Sequence, residues 1–407
     1  MIRPLDRKLL RDLSQMKGQV VAVSLVMACG LAMMIMTRSL ILTLESTRSA
    51  FYQQYAMADV FARLKRAPLS MVKGVQDLPG VAMVEPRVVV DVTLDLPGVT
   101  EPATGHMVSL PPDGKPQQLN RVLLRSGEFP HPDSRRDVVV SESFAMANSL
   151  KPGDRVVAVI NGRKEALRIC GIGLSPEFVF EAREGETLPD HERFGVIWMN
   201  YEALATAYNL DGAFNDLCID LAPGAAAAPV IEEMDRQFQR YGSGGAYVRD
   251  EQASAQRLND ELEVLHMLSL AYPLVFLSVS AFMMNAVLAR MVRLQREQIA
   301  QMKALGYASG QVGMHYLKFV IVIGVFGTLL GGIGGRYLGD MLVNLYTEFF
   351  RFPELVFQMD YSALGLALGV SIGASMLGVT TVVRQAIKLP PATADARCCA
   401  RPSGMRD

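Results

Sequence analysis

The residue types that could do chemistry are sparse in this sequence and rarely stand at catalytic spacing. The only Gly-Lys pair, in Gly114-Lys115-Pro116, lacks the Gly-x-x-x-x-Gly-Lys-Ser/Thr pattern that cradles a nucleotide phosphate. No His-Glu-x-x-His metal motif occurs. The Gly-x-Ser-x-Gly pattern occurs at Gly369–Gly373, but inside an apolar run rather than at a strand-to-helix turn, so it predicts no nucleophile elbow. His106, His131 and His191 lie among proline and acidic residues, which favours solvated side chains over zinc ligands. The sequence therefore predicts no catalytic residue, no metal site and no cofactor, and an enzyme is the weakest functional class.

The five cysteines offer a second kind of chemistry, disulfide formation or metal binding. Cys170 and Cys218 fall in strand-like runs of one polar region, where an oxidising compartment would permit a disulfide. Two buried free thiols are the favoured interpretation, and a disulfide between them stays open. Cys29 lies in an apolar run, and the Cys398-Cys399 pair lacks metal-ligand spacing.

The elements that must carry any function are four long apolar runs. They lie at Val20–Met36, Val264–Ala289, Tyr316–Leu338 and Leu364–Val383. A helix needs roughly 20 residues to cross a bilayer core of about 30 Å, and each run can supply them. The polar region of roughly 220 residues between the first two runs cannot lie in lipid. We therefore predict an α-helical membrane protein with four transmembrane helices and a large α+β extracytoplasmic domain inserted between the first and second helices.

Charge orients these helices, although the net charge is only −1. Basic residues cluster before the first run, after the second and after the fourth, whereas the connection after the third is acidic. By the positive-inside rule, both termini are cytoplasmic. Thr100 and Asn161 are then predicted outside, and Gln301 inside. The predicted segments are a cytoplasmic start at 1–18, spans at 19–44, 264–289, 315–338 and 361–383, an outer domain at 45–263, a cytoplasmic connection at 290–314, an outer loop at 339–360 and a cytoplasmic tail at 384–407.

Local patterns add detail to the outer domain. Amphipathic stretches at Glu45–Tyr55 and Asp250–Leu270 flank it and are predicted to pair as a stalk, with simple capping of the domain as the alternative. Asn161-Gly162 between two strand-like runs predicts a type I′ hairpin. Asp137–Val140 predicts a strand that leads into a short helix at Ser141–Ser149.

Glycines recur at every fourth residue of the last two spans. They are Gly327, Gly331, Gly335 and Gly339 on the third span, and Gly365, Gly369 and Gly373 on the fourth. Such spacing forms a flat face on which helix backbones approach closely. We predict helix packing through these faces, with the third and fourth spans together inside one subunit. The first and second spans would then meet a second subunit, the first through its small residues Ser24, Ala28 and Ala32, although a subunit contact through the glycines stays open.

The connection between the second and third spans contains a strong helix-forming run, Arg293–Gly306. Gly306 is the predicted C-cap of this helix. Ile299, Met302 and Leu305 form a narrow apolar face that suits a partner's groove. A solvated connector without a partner is the alternative.

The run Arg296–Gly306 resembles the arginine/glutamate–isoleucine–leucine–lysine/arginine–alanine–leucine–glycine signature of FtsX-like and MacB-like ABC transporter permeases, the type VII group. Asp137–Phe178 is similar to that family's periplasmic core domain, and Arg384–Pro391 resembles the basic segment after its fourth span. With the order of spans and insert, the resemblance covers nearly the whole chain. In that family the short helix meets a separate ATPase, which implies coupling roles for Arg296, Glu297, Ile299, Met302, Lys303, Leu305 and Gly306.

The resemblance implies a permease subunit in the bacterial inner membrane, with ATP hydrolysis in a separate cytoplasmic chain. It would move the outer domain to export or extract a hydrophobic or peptide-like substrate. The implied partners are the ATPase, a second permease copy or sister permease, a periplasmic adaptor and membrane lipid, but no nucleic acid. The alternative function is an extracytoplasmic sensor or regulator of the FtsX type, which transmits a signal or activates a cell-wall enzyme.

Two departures from the family affect this expectation. Some members carry a fused ATPase domain, which this sequence lacks, and a longer subgroup repeats a three-span block after the point that corresponds to Leu389–Ala392. A natural half-unit and a truncated copy therefore both stay open. The substrate, the direction of transport and the choice between a homodimer and a heterodimer are not specified by the sequence.

Overall fold

The computed structural model of the chain describes residues 4–96, 101–183 and 185–388. Contacts divide it into two compact units. The first, here called the helical unit, is built from the residues up to Thr43, from Glu263–Val343 and from the residues beyond Leu355. The second, the α+β unit, consists of Leu44–Leu262 and Asn344–Leu355. Thr100 and the tail at 389–407, which were assigned to opposite sides of the membrane, lie outside the described residues.

Ten α-helices and eleven strands are found in the described part of the chain. The helices are α1 (Pro4–Gln15), α2 (Lys17–Gln54), α3 (Met71–Gln76), α4 (Glu142–Ala147), α5 (Tyr201–Ala207), α6 (Ala227–Phe238), α7 (Ala253–Leu294), α8 (Arg296–Ala304), α9 (Ser309–Phe349) and α10 (Tyr361–Lys388). The strands are β1 (Val60–Pro68), β2 (Val81–Arg87), β3 (Val89–Asp95), β4 (Ala103–Ser109), β5 (Leu123–Gly127), β6 (Asp137–Ser141), β7 (Arg155–Ile160), β8 (Arg163–Leu174), β9 (Phe194–Met199), β10 (Ala213–Leu221) and β11 (Ala246–Val248).

Three of the described helices, α2, α7 and α9, are long and apolar enough to cross a membrane. Helix α10 contains a shorter apolar stretch, Tyr361–Leu377. Three apolar helices are thus present beside a large α+β unit, whereas the fourth crossing and the side on which that unit stands remain predictions.

The glycines of α9 pack against α2. A Cβ added at Gly331 would lie 2.8 Å from the Cβ of Leu31, and one at Gly335 would lie 2.9 Å from the carbonyl oxygen of Ala32. Gly327 faces the same helix. Because these gaps leave no room for a side chain, the glycines let the two backbones approach. The predicted packing face exists on α9, but its partner is the first apolar helix rather than the fourth.

The remaining glycines behave differently. A Cβ at Gly339 would lie 2.4 Å from the Phe357 ring, so this glycine accommodates an aromatic side chain rather than a helix. At Gly365, Gly369 and Gly373, none of the described atoms lies within 4 Å of an added Cβ. The predicted packing of this face within the chain is therefore wrong for the described residues. Helix α10 instead meets α9 through the Thr328 and Ser371 hydroxyls, 3.2 Å apart.

The small residues of α2 also pack inside the chain. Ser24, Ala28 and Ala32 are all buried. The Ala28 carbonyl oxygen would lie 3.1 Å from a Cβ at Gly331. The predicted place of this series at a subunit interface is wrong, because the glycine groove of α9 needs small residues opposite it and α2 supplies them.

The α+β unit contains two sheets. A four-stranded antiparallel sheet has the order β11-β1-β10-β2. The other seven strands have the order β5-β8-β6-β9-β4-β3-β7, and β7 also pairs with β8. Strands β8, β6, β9, β4, β3 and β7 therefore close into a ring of paired strands. Its pairs β4–β9 and β6–β8 are parallel, and its other pairs are antiparallel. Aliphatic side chains of β3, β6, β7, β8 and β9 fill one continuous core.

Two local predictions for this unit are confirmed. Ile160 pairs with Arg163 across the β7–β8 turn, and Asn161 and Gly162 have φ values of 46° and 79°. Positive φ at both central residues is the geometry of a type I′ turn. Strand β6 is followed directly by the short helix α4, as the sequence indicates.

Three long helices contribute residues to both units. Residues 44–54 of α2, 253–262 of α7 and 344–349 of α9 belong to the α+β unit. Inside that unit, Arg48 Nη1 donates to Asn259 Oδ1 at 2.5 Å, and the Tyr346 hydroxyl donates to the Glu261 carboxylate. The end of α9 thus joins the ends of α2 and α7, a contact that the sequence did not predict.

Candidate functional site

Helix α8 lies in the helical unit between two long apolar helices, in the connection with the coupling signature. It has nine residues and ends at a left-handed glycine, Gly306, with φ of 92°. The amides of Gly306 and Tyr307 donate to the carbonyl oxygens of Lys303 and Met302, each at 3.1 Å. These bonds satisfy carbonyls at the helix end, and the predicted glycine C-cap is confirmed.

The middle of α8 is anchored inside the chain. Ile299 is fully buried, and Met302 packs beside it while remaining half-buried. We call this core the α8 cluster; besides Ile299 it includes Leu9 of α1, Leu288 and Met291 of α7, and Val312, Tyr316 and Phe319 of α9. The predicted partner-facing surface is therefore wrong for Ile299. A nine-residue helix buries its apolar side against neighbouring helices of the chain, and no local pattern indicates that α1 is one of them.

The exposed apolar side chains stand at the two ends of α8. Leu305 is 80% exposed and Leu294 is 74% exposed. Arg296 and Glu297 are exposed in the first turn, and Lys303 is half-buried near the end. Of the three predicted apolar docking residues, only Leu305 is open to a partner. Leu294, the last residue of α7, was missed, although it lies within the predicted helix-forming run Arg293–Gly306.

The N-terminal helix holds the start of α8. Lys8 Nζ donates to Asp12 at 2.7 Å and to Gln295 Oε1 at 3.0 Å, and Gln295 directly precedes α8. The Tyr316 hydroxyl donates to the same Gln295 oxygen at 3.2 Å. Three segments that are distant in sequence thus meet at one amide. The basic residues of the 1–18 segment predict only its orientation, and no local pattern predicts this network.

Asp12 is the charge at the centre of this network. It is 2% exposed, and His315 Nε2 lies 3.4 Å from its Oδ2. Burial opposes ionisation, but the hydrogen bonds of His315 and Lys8 outweigh it and hold the pKa of Asp12 below its ordinary value. A second ion pair joins Lys318 of α9 to Asp6 of α1 at 2.7 Å. Helix α1 is therefore bound to the base of α9 by charge as well as by packing.

The three histidines singled out in the sequence differ in their exposure and in their contacts. His131 is exposed, as predicted, but His106 lies in β4 and its Nδ1 is 2.7 Å from Asp91. His191 is half-buried, and its Nε2 lies 3.2 Å from the carbonyl oxygen of Glu348. The prediction of solvated side chains is wrong for these two, because strand placement and long-range packing are invisible in the flanking residues.

Cys170 and Cys218 are free thiols and both are buried, which confirms the favoured interpretation. Burial raises the pKa of the Cys170 thiol to about 11, so it is protonated at neutral pH. Among residues 4–96, 101–183 and 185–388, no group of three or more His, Cys, Asp or Glu side chains could hold a metal ion.

Structural comparison finds several extracytoplasmic permease domains. The periplasmic region of MacB from Actinobacillus actinomycetemcomitans is 10% identical, with a TM-score of 0.33, over 52% of this chain and 95% of that one. The extracellular domain of the noncanonic ABC-type transporter YknZ from Gram-positive bacteria is 13% identical, with a TM-score of 0.31, over 47% and 98%. A domain of a putative permease protein from Porphyromonas gingivalis is 14% identical, with a TM-score of 0.29, over 48% and 86%.

Sequence comparison with curated proteins gave no significant match. Comparison with family models gave a match to the FtsX-like permease C-terminal domain over residues 270–391. This range contains most of α7, all of α8 and α9, and the described part of α10. Residues 270–391 are therefore similar to the C-terminal domain of the FtsX-like permeases, and three of the described helices are long and apolar enough to cross a membrane.

Proposed function

We propose that this chain is the transmembrane subunit of an ABC transporter and that a separate cytoplasmic ATPase docks on α8. The supporting observation is the pair Leu294 and Leu305, which stand exposed at the two ends of a short helix whose middle is fixed by Ile299. A rigidly held helix with open apolar ends suits a groove on a partner protein. Arg296, Glu297 and Lys303 form the polar rim of this contact.

The proposed mechanism passes motion from α8 into the long helices. Closure of the ATPase on ATP would push α8, and the α8 cluster would carry that push to α1, α7 and α9. Helices α7 and α9 also contribute residues to the α+β unit, so displacement of these helices reaches it through continuous backbone. We assign this motion to the export or extraction of a hydrophobic or peptide-like substrate.

The proposed orientation follows from charge. Both termini and the 290–314 connection are assigned to the cytoplasm, where the ATPase and ATP are found, and the α+β unit is assigned to the outside. ATP hydrolysis belongs to the partner in this proposal. An ABC ATPase works as a pair, whereas one chain supplies one α8, so a second copy or a sister permease completes the assembly. A periplasmic adaptor is the partner assigned to the α+β unit.

The docking contact is tested by charge substitution. A charge left unpaired in an apolar contact costs several kcal/mol, so Leu294→Asp and Leu305→Asp should each abolish co-purification of the ATPase in mild detergent. Gln301→Asp, on an exposed position of the same helix, is the matched control and should retain it. Ile299→Asp should instead lower the yield of folded chain. Recovery of the ATPase at wild-type yield with both leucine variants would show that α8 is not the docking element.

A further inference from the structure

A cavity of about 260 Å³ lies inside the α+β unit, between its two sheets. Strands β1 and β10 of the four-stranded sheet form one wall, and strands β3, β4 and β9 of the seven-stranded sheet form the other. The segment after β8 and the start of α7 close the remaining sides. A dry cavity of roughly 150 Å³ suffices for benzene, so this space holds a phenyl-sized body with a short polar extension.

The floor of the cavity is aromatic. Phe178 and Phe194 line it together with the His106 ring, whose centroid lies 5.5 Å from that of Phe178. Phe178 in turn lies edge-on to the buried Trp198, with centroids 6.2 Å apart. Such rings favour an aromatic or branched apolar body in contact with them.

The deep polar groups of the cavity are hydrogen-bonded within the protein. The Asn215 amide exchanges two hydrogen bonds with the backbone of Val89, at 2.8 and 2.7 Å. The Ser254 hydroxyl accepts from the Phe180 amide at 2.8 Å. The buried Asp216 carboxylate, which also lines the cavity, accepts from Arg87 Nε at 2.6 Å. Recognition of a carboxylate ligand therefore depends on the arginines at the rim.

Two arginines and one carboxylate, Arg63, Arg183 and Asp91, are the exposed charged side chains that line the cavity. Arg183 also lies 3.6 Å from the exposed carboxylate of Glu186, a weak surface pair. The hydrogen bond with His106 is the main cause that holds the pKa of Asp91 below its ordinary value, and the charges of Arg63 and Arg183 add to it. The Asp91 side chain is 66% exposed, so solvent weakens its electrostatic attraction to the two arginines. Guanidinium groups bind carboxylates through paired hydrogen bonds.

We propose that this cavity binds a small organic carboxylate with an aromatic or branched apolar body. The carboxylate lies at Arg63 and Arg183, and the body rests on Phe178 and Phe194. This site is separate from the ATPase contact, so it stands or falls independently of the proposed coupling function. It would give the α+β unit a ligand of its own.

The test uses the full chain in detergent and 3-phenylpropionate as the probe, with the uncharged 3-phenylpropionamide as the matched ligand control. Trp198 is the only tryptophan, and its contact with Phe178 makes its fluorescence a local report of occupancy. The acid should change this fluorescence saturably, and the amide should bind at least about tenfold more weakly, since a charged hydrogen bond contributes about 1.5–3 kcal/mol. Binding of the acid should weaken as salt increases.

Substitutions at four exposed positions distinguish binding at the rim of the cavity from general effects on the protein. Arg63→Gln and Arg183→Gln should each weaken the acid about tenfold or more. Asp91→Asn should strengthen it, because a competing like charge is removed. Arg155→Gln on β7 keeps the cavity intact and should change nothing. Equal binding of acid and amide, non-saturable binding, or affinities unchanged by the Arg63, Arg183 and Asp91 variants would each overturn the proposal.

Discussion

Replacing Glu181 by glutamine is expected to stabilise the α+β unit at alkaline pH. Glu181 is 2% exposed, and its carboxyl accepts hydrogen bonds from the hydroxyls of Ser141 at 2.7 Å and Ser143 at 3.2 Å. Burial raises the pKa of Glu181 to about 7, and these hydrogen bonds and the charge of Arg351 offset only part of that effect. The nearby carboxylate of Glu142 adds to the rise.

The magnitude follows from linkage between protonation and folding. The ordinary pKa is 4.5, and a rise to about 7 corresponds to about 3 kcal/mol at 1.36 kcal/mol per unit. Between these values the folded protein keeps a proton that the unfolded chain releases. The free energy of unfolding therefore falls as pH rises from 4.5 to 7 and is level above that. Glutamine removes this cost but loses a hydroxyl hydrogen bond, about 1 kcal/mol, which leaves a net gain of about 2 kcal/mol at pH 8.

One neighbouring group has the opposite pH dependence. Burial lowers the pKa of His191, so its contribution to the free energy of unfolding rises with pH below 6.5. The comparison must therefore be made between wild type and Glu181→Gln at each pH, since His191 is common to both.

The assay is urea unfolding of the full chain in detergent between pH 5 and 8.5. Trp198, the only tryptophan, lies in β9 of the same unit and reports its unfolding. The stability of the variant relative to wild type should increase by about 3 kcal/mol across this range. Glu192→Gln, at an exposed position, is the control and should show no such trend. A difference between Glu181→Gln and wild type that stays constant with pH would refute the reasoning.

Three further outcomes are expected. Gly331→Val should lower the thermal stability of the helical unit in detergent, because its Cβ would meet Leu31, whereas Gly369→Ala, with open space, should not. Asp12→Asn should cost about 1–3 kcal/mol in thermal unfolding, because Lys8 loses its counter-charge; unchanged stability would contradict the network. Cysteines placed at Asn161 and Gln301 should label from outside and from the cytoplasm respectively, and outside labelling of residue 301 in intact cells would reverse the orientation.

The features that could be predicted from the sequence are those fixed by a few adjacent residues. The Asn161-Gly162 turn needs only two positive φ values and the flanking strand pattern. The end of α8 at Gly306 depends likewise on one left-handed residue. The apolar helices follow from run length alone. In each case the physical cause lies within the segment itself.

The features that could not be predicted depend on which distant element packs against a given surface. The glycine spacing of α9 shows that a helix packs there, but the choice of α2 depends on Leu31 and Ala32 facing that groove. The sequence around Ile299 is equally compatible with a contact to a partner protein and with burial inside the chain. The structure shows burial, because α1 packs in the same cluster. The Lys8–Gln295 contact joins residues 287 positions apart, and no local pattern encodes it.

These contacts restrict how motion could leave α8 under the proposed function. Helix α8 is tied to α9 through Ile299, and α9 is tied to α2 at Gly331 and Gly335 with no space between the backbones. If α9 slid alone, the Cα of each glycine would have to pass the side chains of Leu31 and Ile35, which closely packed helices resist. Movement of α8, α9 and α2 together keeps every one of these contacts. We therefore infer that a push on α8 displaces α8, α9 and α2 together rather than one span at a time.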